Sequence, residues 1–449
     1  MIARAAVARA VGRAARASGH GGTSLPGKLL LALDSRGLER LAAPLRAGSV
    51  LISATNGKTT TAALAASILD AAEIRTVHNV AGANMAGGVA SALLERRPDE
   101  VLGLFEVDEF WLDAVATALA PRAIVLGNLF RDQLDRYGEL ETIAERWAGV
   151  LAARPTRLVL NADDPLIADL GRGHADALFF GIEDPAAATA APLAHASDST
   201  RCRRCGAAYA YAHVYIAHLG VYACPGCGQL RPVPAVSATA ITLDGLRGAR
   251  FTLHTPEGDA AAQLALPGLY NVYNALGAAA LASALGVAPA TIAAGLASAS
   301  AVFGRGERIV LGERELAILL VKNPAGANEV LRLLGAQDGA HDVLGVLNDG
   351  IADGRDVSWI WDADFETLAP RIRRFTCAGT RADELALRLK YAGVPTERIR
   401  VVADLADALD DALAHADGEL YALPTYTAML ALRALLARRG QAPSSWARV

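Results

Sequence analysis

The amino-acid sequence predicts an α/β protein in which parallel sheets are covered by helices. From Ser49 onward, short apolar segments typical of strands alternate with longer segments typical of helices. A glycine-lysine-threonine turn joins the first strand to the first helix, and the alternation starts again after a break at Phe303–Ile309. We therefore predict an N-terminal helical segment over residues 1–45, a central domain over 46–305 and a C-terminal domain over 306–449.

The N-terminal segment is basic, although the whole chain of 449 residues has a formal net charge of −4. This acidic balance argues against a general nucleic-acid binder, so no nucleic-acid partner is expected. Residues Met1–Ser18 hold four arginines among alanines and valines, which fits either a basic surface helix or a transit peptide. No apolar run approaches the ~18–20 residues of a membrane span. We expect a cytoplasmic protein, and the basic helix leaves open a contact with the inner face of the membrane.

The turn between the predicted strand Val50–Ser53 and the predicted helix Ala62–Ala71 is the most informative segment. Backbone N–H groups of such a turn point at anionic oxygens, Lys58 adds a mobile cation, and a threonine hydroxyl can reach Mg²⁺. The usual phosphate-loop motif begins with a glycine where this chain has Ile52, so the match is incomplete. The strand before the turn and the helix after it still predict a site for a nucleoside triphosphate.

Polar side chains follow the next three predicted strands of the central domain. These strands and polar residues are Val101–Val107 with Glu106, Asp108 and Glu109, Ala123–Leu126 with Asn128, and Arg157–Leu160 with Asn161. Ligands of parallel sheets bind at the carboxyl ends of strands, where Lys58 also lies. Glu106 and Asp108 are therefore candidates to hold Mg²⁺ against the phosphates, with a solvated acidic strand end as the alternative. The segment Asn161–Asp164 fits a nucleotide contact and a simple turn equally well.

Between Pro185 and Leu243 the alternation breaks, and four cysteines have the spacing of a zinc ribbon. They form two Cys-x₂-Cys pairs separated by eighteen residues, namely Cys202, Cys205, Cys224 and Cys227. Two such pairs turn four thiolates toward one metal, so we predict a closed, structural Zn²⁺ site in an insertion over 200–230. Disulfides are the alternative, which a reducing cytosol disfavours. The fifth cysteine, Cys377, lies on an apolar strand and is expected to be buried.

After the insertion the alternation resumes with a strand at Phe251–His254 and a helix near Asn271. The side-chain amides of Asn271 and Asn274 either cap this helix or contact a nucleotide base.

The predicted strands of the C-terminal domain are Ala317–Val321, Val343–Leu347, Arg374–Ala378, Arg400–Val402 and Glu419–Ala422. The loop after the second of these strands is crowded with acids, namely Asp349, Asp353, Asp356 and Asp362. A carboxylate there either orients a histidine on a partner protein or belongs to a plain acidic surface loop.

Several segments together resemble the Mur ligases, the ATP-dependent enzymes that build the stem peptide of peptidoglycan. These segments are Ala54–Thr60, Asn128–Gly138, Asn161–Asp164, Leu266–Asn271 and Phe303–Glu307. The four-cysteine insertion narrows the resemblance to the MurT family, the ligase subunits of lipid II isoglutaminyl synthases. Three segments of the C-terminal domain do the same, namely Val321–Gly326, Ala352–Trp359 and Leu423–Met429.

The resemblance implies a Mur ligase-type central P-loop ATPase domain and a Rossmann-like C-terminal Mur ligase domain. It implies that ATP and Mg²⁺ serve to phosphorylate the α-carboxyl of the D-glutamate in the stem peptide of lipid II. Ammonia would then displace phosphate and leave D-isoglutamine. The ammonia would come from a heterodimeric partner, a GatD-type class I glutamine amidotransferase.

The resemblance also implies roles for individual residues. The nucleotide would be bound by Thr55, Asn56, Gly57, Lys58, Thr59, Thr60, Asn271 and Asn274. Lys58 and the Gly57 amide would hold the β- and γ-phosphates, and the two asparagines would lie near the adenine. Thr59 and Glu106 would bind magnesium. In this family an aspartate of the C-terminal domain completes the catalytic triad of the glutaminase; Asp353 and Asp356 both remain candidates, with Asp356 favoured by its place just before Ser358-Trp359.

One departure from the family pattern concerns the second metal. Many Mur ligases bridge a second magnesium with a carbamylated lysine of the central domain, but this chain has no lysine between Lys58 and Lys322. Either one magnesium suffices or another residue bridges the second one.

Two other functions stay open from the sequence. One is a Mur-type or folylpolyglutamate-type ligase that joins a free amino acid to a carboxylate without a glutaminase, and the other is a zinc-ribbon binding protein in which the nucleotide acts as a switch.

Overall fold

The computed structural model describes residues 2–17, 23–79, 82–132, 140–152, 156–189, 197–299 and 305–442. In this part of the chain the strands form two large sheets and one hairpin. Both large sheets are mainly parallel, which confirms the predicted α/β class. No helix in the described ranges is long and apolar enough to cross a bilayer.

The first sheet and the hairpin use the first eleven strands. In chain order these are β1 Ser49–Ser53, β2 Thr76–His78, β3 Leu102–Glu106, β4 Ala123–Leu126, β5 Arg157–Asn161, β6 Leu178–Ile182, β7 Ala210–Ile216, β8 Leu219–Ala223, β9 Val236–Leu243, β10 Ala249–Thr255 and β11 Gly258–Leu264. The sheet order is β11-β10-β9-β6-β5-β4-β1-β3-β2, and its strands from β9 to β2 run parallel. Strands β7 and β8 form a separate antiparallel pair, the hairpin of the four-cysteine insertion.

Helices cover both faces of the first sheet, because its central strands are apolar on both sides. The described helices are α1 Ile2–Ala17, α2 Leu25–Leu33, α3 Gly37–Ala42, α4 Lys58–Ala71, α5 Ala86–Leu94, α6 Leu112–Leu119, α7 Leu140–Ala152, α8 Pro165–Leu170, α9 Leu269–Ala284, α10 Pro289–Ser298, α11 Pro324–Gly335, α12 Ala382–Tyr391, α13 Leu405–His415 and α14 Tyr426–Arg438. On β1, Val50 and Ile52 face the core formed with α4, α9 and α10, whereas Leu51 faces the core formed with α5 to α8.

The N-terminal segment forms a helix that packs on the first domain. Ala5 and Ala8 of α1 are buried, and Gly12 lies so close to α2 that an added Cβ would come within 2.6 Å of Pro26. The Arg9 side chain donates a hydrogen bond of 2.7 Å to a carbonyl at the end of α5. Small residues thus form the inner face of α1, while Arg4, Arg9 and Arg13 are exposed.

The second sheet contains the remaining strands. They are β12 Arg305–Leu311, β13 Arg314–Leu319, β14 His341–Val346, β15 Ile372–Ala378, β16 Ile399–Val401 and β17 Leu420–Pro424. The order is β12-β13-β17-β14-β15-β16, and only the edge pair β12–β13 is antiparallel among these described strands. Cys377 on β15 is fully buried, as expected. Because residues 300–304 lie outside the described part, the domain boundary between 305 and 306 stays a prediction.

Two predicted element bounds were wrong by more than two residues. Helix α4 begins at Lys58 and not at Ala62. Gly57, with φ of 85°, closes the turn, so the helix starts directly after it. The β-branched run Thr59–Thr61, which has a low helix propensity, therefore lies within the first turn of the helix. Strand β13 begins at Arg314 and not at Ala317, because it pairs with β12 from the hairpin turn onward, starting with Leu311 and Arg314. The other predicted strands lie within two residues of their predicted ends.

Candidate active site

A cavity of about 310 Å³ opens at the carboxyl ends of the strands of the first sheet. The turn Thr55–Thr60 and the acidic end of β3 form one side of it. Helix α9 contributes Asn274, and the second domain contributes Lys322, just before α11, and Glu329, in the middle of that helix. Both domains therefore enclose the turn that the sequence singled out, in a volume suited to a small-molecule ligand.

The phosphate turn is shaped by two asparagines. Asn128, just after β4, accepts a hydrogen bond from the Asn56 amide at 2.9 Å, donates to the Asn56 carbonyl at 3.0 Å, and accepts from the Thr55 amide through its own carbonyl. Asn274 lies against Gly57, where an added Cβ would come within 2.0 Å of its Oδ1. Gly57 is therefore required both for its positive φ and for this close approach.

Lys58 is buried and points back into the cavity. Its ammonium donates to the Ala54 carbonyl and forms an ion pair of 3.0 Å with Glu109. Burial by itself lowers the pKa of Lys58. The carboxylates of Glu109, Asp108 and Glu106 outweigh burial and raise the pKa of this ammonium above its usual value. Lys58 is therefore charged at neutral pH, and Glu109 is a partner to which sequence reasoning gave no role.

The acidic end of β3 offers oxygen ligands beside the turn. Asn79 holds the backbone of Glu106 through two hydrogen bonds, accepting from its N–H at 3.0 Å and donating to its carbonyl at 2.9 Å. Glu106, Asp108 and Thr59 all line the cavity. Carboxylate and hydroxyl oxygens next to a phosphate turn are the donor set that Mg²⁺ prefers, so these residues fit the predicted metal.

The two asparagines of α9 lie at different depths. Asn274 lines the cavity and accepts from the Thr61 hydroxyl at 3.3 Å, whereas Asn271 is buried behind it. Asn271 accepts from the Asn274 amide at 2.9 Å and donates to the Pro267 carbonyl at 2.7 Å. Asn271 thus positions Asn274 through a hydrogen bond and has no direct place at the cavity.

The segment Asn161–Asp164 forms a buried turn beneath the cavity. Asp163 bonds Arg231 at 2.6 Å and accepts from the hydroxyl of Tyr273 at 2.6 Å, while Asp164 caps α8 by accepting from the Leu166 amide. Both aspartates are fully buried. Of the two alternatives from the sequence, the geometry therefore favours the turn. Tyr273, which does line the cavity, was missed, although it precedes Asn274 directly.

The start of α11 docks the second domain onto the phosphate turn. The ammonium of Lys322 pairs with Asp132 at 2.5 Å and donates to the Thr55 carbonyl at 3.2 Å. The side chains of Asn323 and Asn56 form two reciprocal hydrogen bonds of 3.0 and 3.3 Å. A second lysine, Lys322, therefore lies close to the turn. The sequence distinguished this residue only because lysines are scarce in the chain.

Glu329 is a buried carboxyl that faces the cavity. Burial raises its pKa to about 7, against the opposing effect of Arg332, whose guanidinium lies 2.7 Å from its Oε1. Because the pKa in the folded chain exceeds that of an unfolded glutamate, ionisation of Glu329 costs folding free energy. This cost is fully present above pH 7 and disappears as the pH falls toward 4.5.

Glu329→Gln should therefore change how stability depends on pH. Relative to the parent chain, the variant should gain up to about 3 kcal/mol of unfolding free energy as the pH rises from 4.5 to 8. Urea unfolding of both proteins across this range measures the difference, with the exposed Glu397→Gln as the matched control. Parallel curves for Glu329→Gln and the parent would contradict the assignment.

The acidic loop of the second domain separates its two candidate aspartates by burial. Asp353 is buried and accepts from the backbone amide and the hydroxyl of Thr427, at 2.7 and 2.5 Å, in the first turn of α14. Asp356 is exposed and accepts from the Ser358 amide at 2.8 Å. Hydrogen bonds from Ser358 lower the pKa of Asp356, so this carboxyl is ionised. The Asp353 carboxylate is thus occupied by hydrogen bonds within its own domain, whereas the Asp356 carboxylate is accessible to a partner protein.

The four cysteines of the insertion come together in one cluster. Their sulfurs all lie within 4.8 Å of one another, with Cys202–Cys227 at 3.6 Å and Cys205–Cys224 at 3.4 Å. These distances exceed the ~2.05 Å of a disulfide and approach the ~3.8 Å edge of a tetrahedron of thiolates around Zn²⁺. No disulfide is formed, and all five cysteines lie in the described part of the chain. The cluster therefore fits a closed, structural metal site, as predicted.

Family models and sequence relatives agree with this architecture. Residues 52–222 match the Mur ligase middle domain, and residues 320–429 match the MurT ligase C-terminal model. The chain is 35% identical over 425 residues to the lipid II isoglutaminyl synthase (glutamine-hydrolyzing) subunit MurT of Streptococcus pneumoniae, with 93% of each chain covered. It is 34% identical to the subunit of the same name from Staphylococcus aureus, with 94% of each chain covered.

Solved structures share the fold at lower identity. A pseudomurein peptide ligase type C from Methanothermus fervidus aligns with a TM-score of 0.67 and 22% identity, covering 88% of this chain and 79% of that one. A Mycobacterium tuberculosis folylpolyglutamate synthase complexed with ADP and AMPPCP aligns with a TM-score of 0.63 and 18% identity, covering 92% and 96%. Together with the relatives of similar length, these comparisons identify the chain as a member of the MurT family of the Mur ligases, a group of ATP-dependent, amide-forming ligases.

Proposed function

We propose that this chain is the synthase subunit of a lipid II isoglutaminyl synthase. The observation that carries the proposal is the identity of 35% to a MurT subunit over 93% of both chains. The substrate would be the α-carboxylate of the D-glutamate in the lipid II stem peptide. The γ-phosphoryl group of ATP passes to a carboxylate oxygen, which gives ADP and an acyl phosphate, and ammonia then attacks the carbonyl carbon as phosphate leaves.

The phosphate turn is suited to the first half of this reaction. Phosphoryl transfer depends mainly on positioning and on neutralising charge. Lys58 and the Gly57 amide would hold the β- and γ-phosphates, with Thr55, Asn56 and Thr60 completing the turn. The ion pair between Lys58 and Glu109 keeps the ammonium charged before nucleotide binds. Mg²⁺ held by Thr59 and Glu106 would neutralise the phosphate oxygens.

The second half of the reaction requires exclusion of water from the acyl phosphate. The contacts of Lys322 and Asn323 with the turn close the cavity from the side of the second domain. Lys322 also supplies a positive charge next to the turn in a chain that has no lysine between residues 58 and 322. We infer that this ammonium takes part of the charge-neutralising role for which many Mur ligases use a second magnesium.

A GatD-type glutaminase would supply the ammonia. Asp356 is the better candidate to complete the triad of the partner, because it is exposed and ionised, whereas Asp353 is engaged by Thr427. Carboxylates of this kind fix the orientation of the catalytic histidine. Asp356 would therefore act on glutamine hydrolysis and leave the ATP-dependent step unchanged.

The decisive experiment combines this chain with and without a GatD-type partner, and supplies Mg²⁺-ATP, glutamine and lipid II. We expect amidated lipid II, ADP and phosphate only when the partner is present. Glutamine-dependent amidation without the partner, or no amidation with it, would refute the proposal. Ligation of a free amino acid by the isolated chain would instead identify the partner-independent ligase.

The N-terminal helices would bring the enzyme to its membrane-bound substrate. Residues 1–46 hold eight arginines and lysines against two acidic residues, a net charge of +6 in a chain whose total is −4. Val7, Leu25 and Leu33 are apolar and about half exposed on the same helices. Basic and apolar side chains together on helices of this kind bind anionic lipid surfaces.

The variant Arg13→Glu/Lys28→Glu should bind vesicles that contain anionic lipid at least about tenfold more weakly, because each basic residue near such a surface contributes about 1 kcal/mol. Co-sedimentation with phosphatidylglycerol vesicles at low and high salt measures this. The matched control is Lys390→Glu/Arg400→Glu, which reverses two exposed charges of the second domain. Equal binding by both variants and the parent would rule out this surface.

A further inference from the structure

The four-cysteine insertion carries a hairpin whose tip lies far from the cysteines. Cys202 and Cys205 precede β7, and Cys224 and Cys227 follow β8, so the metal cluster lies at the open end of the hairpin. Strands of five to seven residues at about 3.3 Å per residue place the tip about 20 Å away from that cluster. A structural metal site needs no such extension, so the position of the tip calls for an explanation.

The tip of the hairpin is buried in the first domain, beside the nucleotide cavity. The residues from Ile216 to Leu219 are all less than a tenth exposed, and the three apolar ones belong to the same apolar core as helix α9. Ile216 and Leu219, on either side of the tip, line the cavity. The charged phosphate turn lines the same cavity, and these two aliphatic side chains belong to the apolar part of its lining.

His218 anchors the tip. Its ring is fully buried, lies 4.8 Å from the ring of Phe130, and places Nε2 3.4 Å from a carboxylate oxygen of Asp164. The backbone amide of Phe130 donates to the side-chain hydroxyl of Thr55 at 3.1 Å, so the tip is connected to the phosphate turn through a single residue. His218 therefore positions the tip without a place in the cavity itself.

The second domain also contacts the tip. Arg332 of α11 donates to the Tyr215 carbonyl at 3.4 Å, and the same guanidinium pairs with Glu329, which lines the cavity. The hairpin is consequently in contact with both domains that close over the nucleotide. A loosened hairpin would change the shape of the cavity from two sides.

We propose that the hairpin of the four-cysteine insertion is part of the nucleotide site: Ile216 and Leu219 form an apolar wall for the base, and the metal at the cysteines holds the two strands that carry this wall. The inference rests on the assignment of the cavity to ATP. It gives the metal a specific function, since metal loss should weaken binding of the base and leave the contacts of the phosphates in place.

The first test separates the base from the phosphates. Binding of a fluorescent ATP analogue is measured with Mg²⁺, and ATP or inorganic tripolyphosphate, which has no base, is used to displace it. For Ile216→Ala/Leu219→Ala we expect the Kd of ATP to rise about tenfold or more and the Kd of tripolyphosphate to stay unchanged. The matched control is Leu230→Ala/Val233→Ala, which shortens two exposed aliphatic residues just beyond the hairpin.

The second test removes the metal. Cys205→Ser in the exposed knuckle should lower the zinc content below about one ion per chain, speed amide exchange over residues 210–223, and raise the Kd of ATP about tenfold. If this variant fails to fold, chelation of the folded parent chain provides the same comparison. Unchanged ATP affinity in the alanine double variant, or in a folded metal-free chain, would overturn the inference. Failure of the parent chain to bind ATP at all would instead refute the proposed function.

Discussion

Replacement of Lys58 by methionine should abolish ATP-dependent amide formation, with a rate at least about 10³-fold lower. Methionine keeps the length of the side chain and removes the ammonium that would neutralise the β- and γ-phosphates in the transition state. The rate of ADP formation in the presence of the partner, glutamine and lipid II measures this loss. Unlike Ile216→Ala/Leu219→Ala, Lys58→Met should weaken the binding of ATP and of tripolyphosphate together.

The same substitution should also destabilise the fold, and this effect can be separated from catalysis. Lys58 is the buried counter-charge of Glu109, with Asp108 and Glu106 close by. Leaving these carboxylates buried without it costs roughly 3–5 kcal/mol. In Lys58→Met/Glu109→Gln one of the unpaired charges is gone, so a large part of the stability should return while activity stays lost.

The exposed Lys390→Met serves as the control for removal of a lysine and should leave both stability and activity unchanged. If Lys58→Met/Glu109→Gln regained activity along with stability, the role of Lys58 would be structural and the phosphate assignment wrong. If Lys58→Met were as stable as the parent chain, the carboxylates would have to be protonated or solvated.

The sequence predicted the parts of the site that depend on local pattern. The strand, the turn and the helix around Lys58 are contiguous, and so are the two pairs of cysteines, so motif spacing alone located them. Asn128 was noted at a strand end, but its bonds to the backbone of Asn56 depend on the pairing of β1 with β4. Local patterns thus predicted which segments matter, while the sheet order decided what their side chains do.

Contacts across the domains were beyond the reach of sequence patterns. Lys322 lies next to Thr55 only because α11 of the second domain packs on the turn, 267 residues away in the chain. The tip residues Ile216 and Leu219 are aliphatic like any core residue, so nothing in their type marks them as lining a cavity. The choice between Asp353 and Asp356 likewise depended on Thr427, 74 residues from Asp353.

The choice between these aspartates leads to the second large effect. Asp356→Asn should lower the rate of glutamine-dependent amidation by on the order of 10²–10⁴-fold, because a neutral amide no longer fixes the histidine of the partner in its basic tautomer. Amidation driven by ammonium chloride should be unchanged, since the variant leaves the phosphate turn intact. Both rates are measured on the same complex with lipid II and ATP.

Asp353→Asn should show the opposite pattern, and this contrast makes the assignment testable. Its carboxylate accepts two hydrogen bonds from Thr427 at the start of α14, where a negative charge is also stabilised by the positive end of the helix dipole. Loss of these charge-assisted bonds should cost about 2–3 kcal/mol of stability and reduce the glutamine-driven and ammonium-driven rates in parallel. A selective loss of the glutamine-driven rate in Asp353→Asn, with Asp356→Asn fully active, would transfer the triad role to Asp353. It would also require the bonds to Thr427 to break when the partner docks.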